Sequence, residues 1–159
     1  MKFLEINGKN LRELYIDEKN HALNSSISKF CPNLKKLYVR FNNGELDMLK
    51  SIFNSCQHLE GLVIWYGKSF NEKELLETVA NHSPKNFHEL KLRELDLFPE
   101  SLESFFVNWQ NRGSKKSISL IVIKGSTILC ESMEIIEKYK NLGIIKRFET
   151  RISCEPYCL

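Results

Sequence analysis

The sequence predicts an α/β fold in which short parallel strands alternate with helices. Two observations support this prediction. The pattern apolar-x-x-apolar-x-apolar recurs six times along the chain, and between copies the apolar spacing changes from two residues to about 3.6. Consecutive strands joined by helices pair in parallel, and stacking of such units buries apolar faces that one unit alone leaves exposed.

Each strand segment is centred on one apolar residue. These central residues are Leu14, Leu37, Leu62, Leu90, Ile121 and Phe148. Alternation around them predicts strands over residues 13–17, 36–40, 61–65, 89–93, 119–123 and 146–150. We therefore expect a single domain over residues 1–159, built from five full strand–helix units and a terminal strand.

Each stretch between strands has its apolar residues on one helical face. In chain order the five sets are Leu23, Ile27 and Phe30; Leu46, Leu49, Ile52 and Phe53; Leu75, Leu76, Val79 and Ala80; Leu102, Phe105, Phe106 and Trp109; and Leu129, Met133, Ile136 and either Tyr139 or Lys140. They predict helices over residues 22–30, 45–55, 72–82, 100–111 and 129–140. Pro32 and Pro84 follow two of these helices and would stop them.

The segment 1–8 has the character of the last turns of a repeat helix, with Gly8 as its terminal cap. We interpret it as a helix remnant, so that the chain begins inside a repeat of a larger ancestral array. A helical cap native to this protein is the alternative, although Phe3, Leu4 and Ile6 do not form the polar face expected of a capping repeat.

Composition restricts the class of protein. The chain has 159 residues, 42% of them apolar and 27% charged, which is typical of one globular domain. Its net charge of +3 is too small to indicate nucleic-acid binding by itself. The sequence has neither an apolar run long enough to span a membrane nor a signal peptide at its N-terminus, so we expect an intracellular protein, cytoplasmic or nuclear.

Five cysteines, an odd number without a secretory signal, favour reduced thiols. Cys31 and Cys56 each lie three residues before the first leucine of a repeat, where a small thiol can pack between helix and strand. Cys154 and Cys158 lack a second pair of ligands at zinc spacing. We expect no metal and no cofactor.

The segment Cys31-Pro32-Asn33-Leu34-Lys35-Lys36-Leu37-Tyr38-Val39 resembles a leucine-rich repeat of the cysteine-containing type found in F-box proteins. The resemblance covers about residues 10–150 and implies a right-handed solenoid, with a curved parallel sheet and helices on the convex side. It also implies non-catalytic protein–protein recognition, specifically substrate recognition for a ubiquitin ligase. The F-box itself, a helical module that precedes such repeats, has no counterpart in the ten residues before the first repeat.

Alternation along the strands predicts two columns of outward side chains. The first contains Tyr15, Tyr38, Val63, Lys91, Val122 and Glu149; the second contains Asp17, Arg40, Trp65, Arg93, Lys124 and Arg151. Arginine, tryptophan and tyrosine are enriched at binding hot spots. We therefore predict a partner-binding site formed by Tyr15, Tyr38, Arg40, Trp65, Lys91, Arg93 and Lys124. Its cations suit an acidic or phosphorylated segment of a protein partner.

Purely structural roles are the alternative for these residues. Tyr15 beside Tyr38 makes an ordinary cross-strand pair, Asp17 beside Arg40 a lateral ion pair, and Trp65 can stack under an arginine without binding anything. Other functions that stay open are RNA or phospholigand binding through the basic column, and a truncated fragment that binds nothing. The sequence does not determine the oligomeric state.

Catalysis is not indicated. The Ser-x-x-Lys pattern at Ser26–Lys29 lies in a predicted helix without its companion motifs, and the four histidines are not spaced to form a triad. We therefore expect a protein that is not an enzyme.

Overall fold

The computed structural model describes residues 2–42, 44–65, 71–123 and 130–151. The helices are α1 (Lys2–Asn7), α2 (His21–Phe30), α3 (Leu46–Ser55), α4 (Glu72–His82), α5 (Pro99–Asn111) and α6 (Cys130–Asn141), with a 3-10 turn at Gly8–Asn10 after α1. The strands are β1 (Glu13–Tyr15), β2 (Lys36–Arg40), β3 (Gly61–Trp65), β4 (Glu89–Arg93), β5 (Ile118–Ile123) and β6 (Ile145–Arg151).

All six strands belong to one parallel sheet, in the order β1-β2-β3-β4-β5-β6. A helix lies between each pair of consecutive strands, as the alternating periodicities predicted. Strand and helix bounds agree with the predicted ones to within two residues. This mixed α/β arrangement of an all-parallel sheet with intervening helices is confirmed.

The hydrophobic core lies between the sheet and the helices. Alternate strand residues such as Leu37, Val39, Leu62 and Ile64 are at most 1% exposed and pack in one cluster with the apolar helix faces. The intervening strand residues therefore point to the opposite side of the sheet, which we call the open face. Every candidate site residue described by the structure lies on that face.

The register of β5 corrects one prediction. Leu120, not Ile121, pairs with Leu90 and Phe148, so Leu120 is the central residue of this strand. Val122, predicted to point outward, packs in the core, and Ile121 takes its place beside Lys91 on the open face. The strand Ile118–Ile123 is almost wholly apolar, so alternation does not distinguish its two faces.

Gly8 directly follows the last residue of α1, as predicted, but it does not have the left-handed conformation typical of a glycine cap. Gly8 starts the 3-10 turn, and the described glycines with positive φ are Gly44 and Gly143. A Cβ on Gly8 would lie 2.4 Å from the carbonyl oxygen of Phe30, so the glycine is required by close packing of backbone against backbone. This contact joins the start of the chain to the end of α2.

Cys31 and Cys56 lie where helix passes to strand, as predicted, and both are fully buried thiols. The Sγ of Cys56 donates to the carbonyl oxygen of Cys31 at 3.2 Å. Burial raises the pKa of both thiols, that of Cys56 to about 12. These side chains are therefore neutral packing groups that link two successive units.

Candidate binding site on the open face of the sheet

A cluster of two arginines and one tryptophan lies at the carboxyl ends of three neighbouring strands. Arg40, Trp65 and Arg93 occupy equivalent positions in the register of β2, β3 and β4. The guanidinium carbon of Arg40 lies 3.7 Å from the centroid of the Trp65 ring, and that of Arg93 lies 4.1 Å from it. Both distances are within the range of cation–π attraction. We call these three residues the arginine–tryptophan cluster.

The two arginines differ in their other contacts. Nη1 of Arg40 donates to the backbone carbonyl of Asp17 at 3.2 Å and lies 3.5 Å from its carboxylate. Buried Asn24, on α2, donates to the backbone carbonyl of Arg40 at 2.9 Å and so fixes the end of β2. Nη1 of Arg93 lies 3.5 Å from the Tyr38 hydroxyl, a long contact to a neutral group. Arg40 is therefore held by an acid, whereas no described acid pairs with Arg93.

The remaining charges on the open face are neutralised in pairs. Described ion pairs on this face are Lys36–Glu13 at 4.0 Å, Arg40–Asp17 at 3.5 Å, Lys91–Glu89 at 3.2 Å, and Arg147–Glu149. Among the cations of this face whose side chains the structure describes, Arg93 is the one that has no carboxylate within this distance. A guanidinium carries five N–H donors, so Arg93 keeps donors for an external anion.

Two tyrosines extend the site toward β1. The Tyr15 and Tyr38 rings stack with centroids 4.1 Å apart and planes inclined by 19°. Tyr38 is buried, whereas Tyr15 is 48% exposed and covers it. Burial of the Tyr38 hydroxyl, reinforced by its hydrogen bond with Tyr15, raises its pKa to about 12. Tyr38 is therefore a neutral hydroxyl at any physiological pH.

Of the predicted site residues, the structure brings together Tyr15, Tyr38, Arg40, Trp65 and Arg93. Lys91 lies in the same region, but its ammonium group forms an ion pair with the Glu89 carboxylate. Lys124 lies outside the described residues, and the register puts Ile123 beside Arg93 at the position predicted for Lys124.

Gly61 was missed by the sequence analysis. It is the first residue of β3 and pairs with Lys36 and Glu89 on the open face. The missing side chain leaves a gap in that row of the sheet. A lone glycine inside a strand pattern is a recognised sign of close approach by another group, so the sequence contained this signal.

The arrangement offers aromatic surface and the Arg93 guanidinium, for which no carboxylate partner is described. Among the described residues, no group of three or more His, Cys, Asp or Glu side chains is placed to hold a metal ion. None of the described helices is long and apolar enough to cross a bilayer. Neither a protein-family model nor a curated protein sequence matches the chain.

Proposed function

We propose that this protein is a leucine-rich repeat recognition module that binds an acidic segment of another protein on the open face of its sheet. The repeat assignment is supported by the regular strand–helix alternation and by the Cys31–Cys56 contact between successive units. The resemblance to F-box repeat proteins suggests that the bound segment belongs to a substrate for ubiquitination. No catalytic step is part of the proposal.

The unpaired guanidinium of Arg93 is the observation that carries the proposal. Its contact with the Trp65 ring restricts this group before any ligand arrives, so less side-chain entropy remains to be lost on binding. Its planar donors match the two oxygens of a carboxylate. Arg40, on the neighbouring strand β2, is already neutralised by Asp17, so the cluster provides one net positive charge for one carboxylate.

The charge balance of the open face disfavours nucleic acid. The described side chains on this face include five cations, Lys36, Arg40, Lys91, Arg93 and Arg147, and four acids, Glu13, Asp17, Glu89 and Glu149. A phosphate backbone laid across the sheet would meet those four carboxylates. Binding of nucleic acid requires a surface with a large excess of cations.

Selection from a library of random 12-residue peptides displayed on phage tests the proposal. Asp or Glu should be enriched among peptides that bind the wild-type protein at about 0.15 M salt, where exposed charges are largely screened beyond about 8 Å. Arg93→Gln should weaken the selected peptides about tenfold or more, because a charged hydrogen bond contributes about 1.5–3 kcal/mol. Arg93→Lys should restore part of the affinity, since it keeps the charge but loses the planar fork.

Arg12→Gln is the matched control, because it removes the same charge from a residue that contacts the carbonyl of Asn33 and not the cluster. Its affinity should stay within about twofold of the wild type. The proposal would be contradicted if the library yielded no binding peptides, or if the selected peptides contained no excess of acidic residues. It would also be contradicted if the Arg93→Gln variant bound the selected peptides as tightly as the wild type. Tighter binding of a phosphoserine peptide than of its glutamate counterpart would assign the site to phosphorylated segments, and tighter binding of single-stranded RNA would assign it to nucleic acid.

A further inference from the structure

A cleft of about 430 Å³ lies on the open face beside the arginine–tryptophan cluster. Residues that line it include Gly61, Lys36, Tyr38, Glu89 and Lys91. The half-buried Val63 lies in it two residues along β3. We call this cleft the glycine notch. Gly61, between Lys36 and Glu89 in the register of the sheet, adds no side chain to this row of outward residues.

The rim of the glycine notch carries charges that cancel. Lys91 pairs with Glu89 at 3.2 Å, and Lys36 lies 4.0 Å from Glu13. Lys36 and Lys91 line the cleft, and their ammonium groups lie beside the carboxylates of Glu13 and Glu89. Tyr38 and Val63 add apolar surface inside this neutral rim. This environment suits an uncharged apolar side chain better than a charged one.

The glycine notch and the arginine–tryptophan cluster lie at the two ends of one strand. Gly61 is the first residue of β3 and Trp65 the last. Four residues of parallel strand span about 13 Å. An extended peptide rises by about the same distance per residue, and its side chains alternate, so residues four apart project from the same side. A single extended peptide can therefore place one side chain at each end of β3.

We propose that the glycine notch binds an apolar side chain, such as leucine, methionine or phenylalanine, located four residues from the acidic residue that binds Arg93. This inference rests on the proposed function and specifies its ligand. The partner would be an extended segment that lies along β3, with an apolar anchor at Gly61 and an acidic anchor at the Arg93 guanidinium. The two anchors together determine both the sequence and the register of the bound segment.

The experiment uses a library of peptides with one fixed glutamate and four degenerate positions on each side. On the wild-type protein, apolar residues should be selected at a position four residues from the glutamate, on one side of it. Replacing that residue by serine should weaken binding about tenfold, since a buried apolar side chain contributes that much or more. Gly61→Val should remove the apolar selection while the glutamate is still required.

A Cβ at position 61 has room in the fold. The nearest atoms to an added Cβ belong to the flexible Glu89 side chain, at 3.4 and 3.5 Å, and a β-branched residue is favoured in a strand. Gly61→Ala adds only that Cβ and should give an intermediate loss of apolar selection. Arg93→Gln gives the reciprocal profile, in which the apolar selection persists and the dependence on glutamate is lost.

The outcomes separate the two proposals. If the glutamate is required but no apolar residue is selected four positions away, or if Gly61→Val leaves the profile unchanged, the glycine notch proposal is wrong and the acidic-segment function stands. If neither the fixed glutamate nor Arg93 affects binding, the proposed function fails, and the notch proposal fails with it.

Discussion

Trp65 should be coupled energetically to both neighbouring arginines. The perturbation is a pair of double-mutant cycles, one combining Trp65→Leu with Arg40→Gln and the other combining Trp65→Leu with Arg93→Gln. Each cycle isolates the interaction between the two side chains, because losses specific to one substitution cancel. Arg40→Gln removes the contact between Arg40 and Asp17 whether residue 65 is tryptophan or leucine. The loss of this contact therefore cancels and does not contribute to the coupling.

The expected magnitude follows from the geometry. Both guanidinium carbons lie about 4 Å from the ring centroid, at 3.7 and 4.1 Å, well within the 6 Å limit of the interaction. The Arg40 side chain is 26% exposed, so the pair lies between a solvated and a buried one. Exposed pairs contribute about 0.5–1 kcal/mol and desolvated pairs about 2. We expect a coupling of about 1 kcal/mol in each cycle, equivalent to about 2–4 °C in Tm for a domain of this size.

Urea unfolding followed by far-ultraviolet circular dichroism gives the four free energies of each cycle and does not depend on the fluorescence of the substituted tryptophan. The slope of each transition should be the same in all variants, which shows that they unfold from equally compact states. A coupling below about 0.3 kcal/mol in both cycles is within ordinary additivity. That result would refute the argument that Trp65 orients the arginines, and with it the preorganised guanidinium on which the binding proposal depends.

Three further predictions concern buried groups. Gly8→Ala should destabilise the fold by about 1–3 kcal/mol or more in urea unfolding, because the added Cβ would lie 2.4 Å from a backbone oxygen; a loss below about 0.5 kcal/mol would contradict the close-packing role. Burial raises the pKa of Glu72, so its contribution to stability is fully present below the ordinary glutamate pKa and is lost as pH rises through the raised value. The free energy of unfolding of Glu72→Gln should therefore rise relative to that of the wild type between pH 4 and pH 7. A difference between the two free energies that stays constant over this range would contradict the prediction. Iodoacetamide should alkylate exposed Cys130 in the native protein but Cys31 and Cys56 only after unfolding, and mass spectrometry locates the alkylated residues. Equal alkylation rates for the three thiols in the native protein would show that Cys31 and Cys56 are not enclosed in the core.

Much of the fold is encoded locally and could be predicted. The helix over Pro99–Asn111 was predicted as 100–111 because Leu102, Phe105, Phe106 and Trp109 repeat with helical spacing. The strand Lys36–Arg40 was predicted without error because Leu37 and Val39 alternate with more polar neighbours. Patterns of this kind depend only on the sequence and on the periods of helix and strand.

Part of the candidate site was predictable for the same reason. Because β2, β3 and β4 pair in register, equal offsets from the central leucines put Arg40, Trp65 and Arg93 side by side. The same reasoning failed at β5, where Ile121 and Val122 are both apolar and the sequence offers no polar residue to identify the outer face. Alternation specifies a register only where the two faces of a strand differ in polarity.

The sequence by itself determined the order of the elements, the buried faces of most helices and strands, and the presence of aromatic and cationic residues in one column. Only the tertiary structure decided that both arginines contact the Trp65 ring, that Asp17 neutralises Arg40 while no described acid pairs with Arg93, and that the gap at Gly61 is bounded by paired charges. These features depend on distances between side chains that are roughly 20–30 residues apart in sequence, and such distances are fixed by strand pairing and rotamer packing rather than by local pattern.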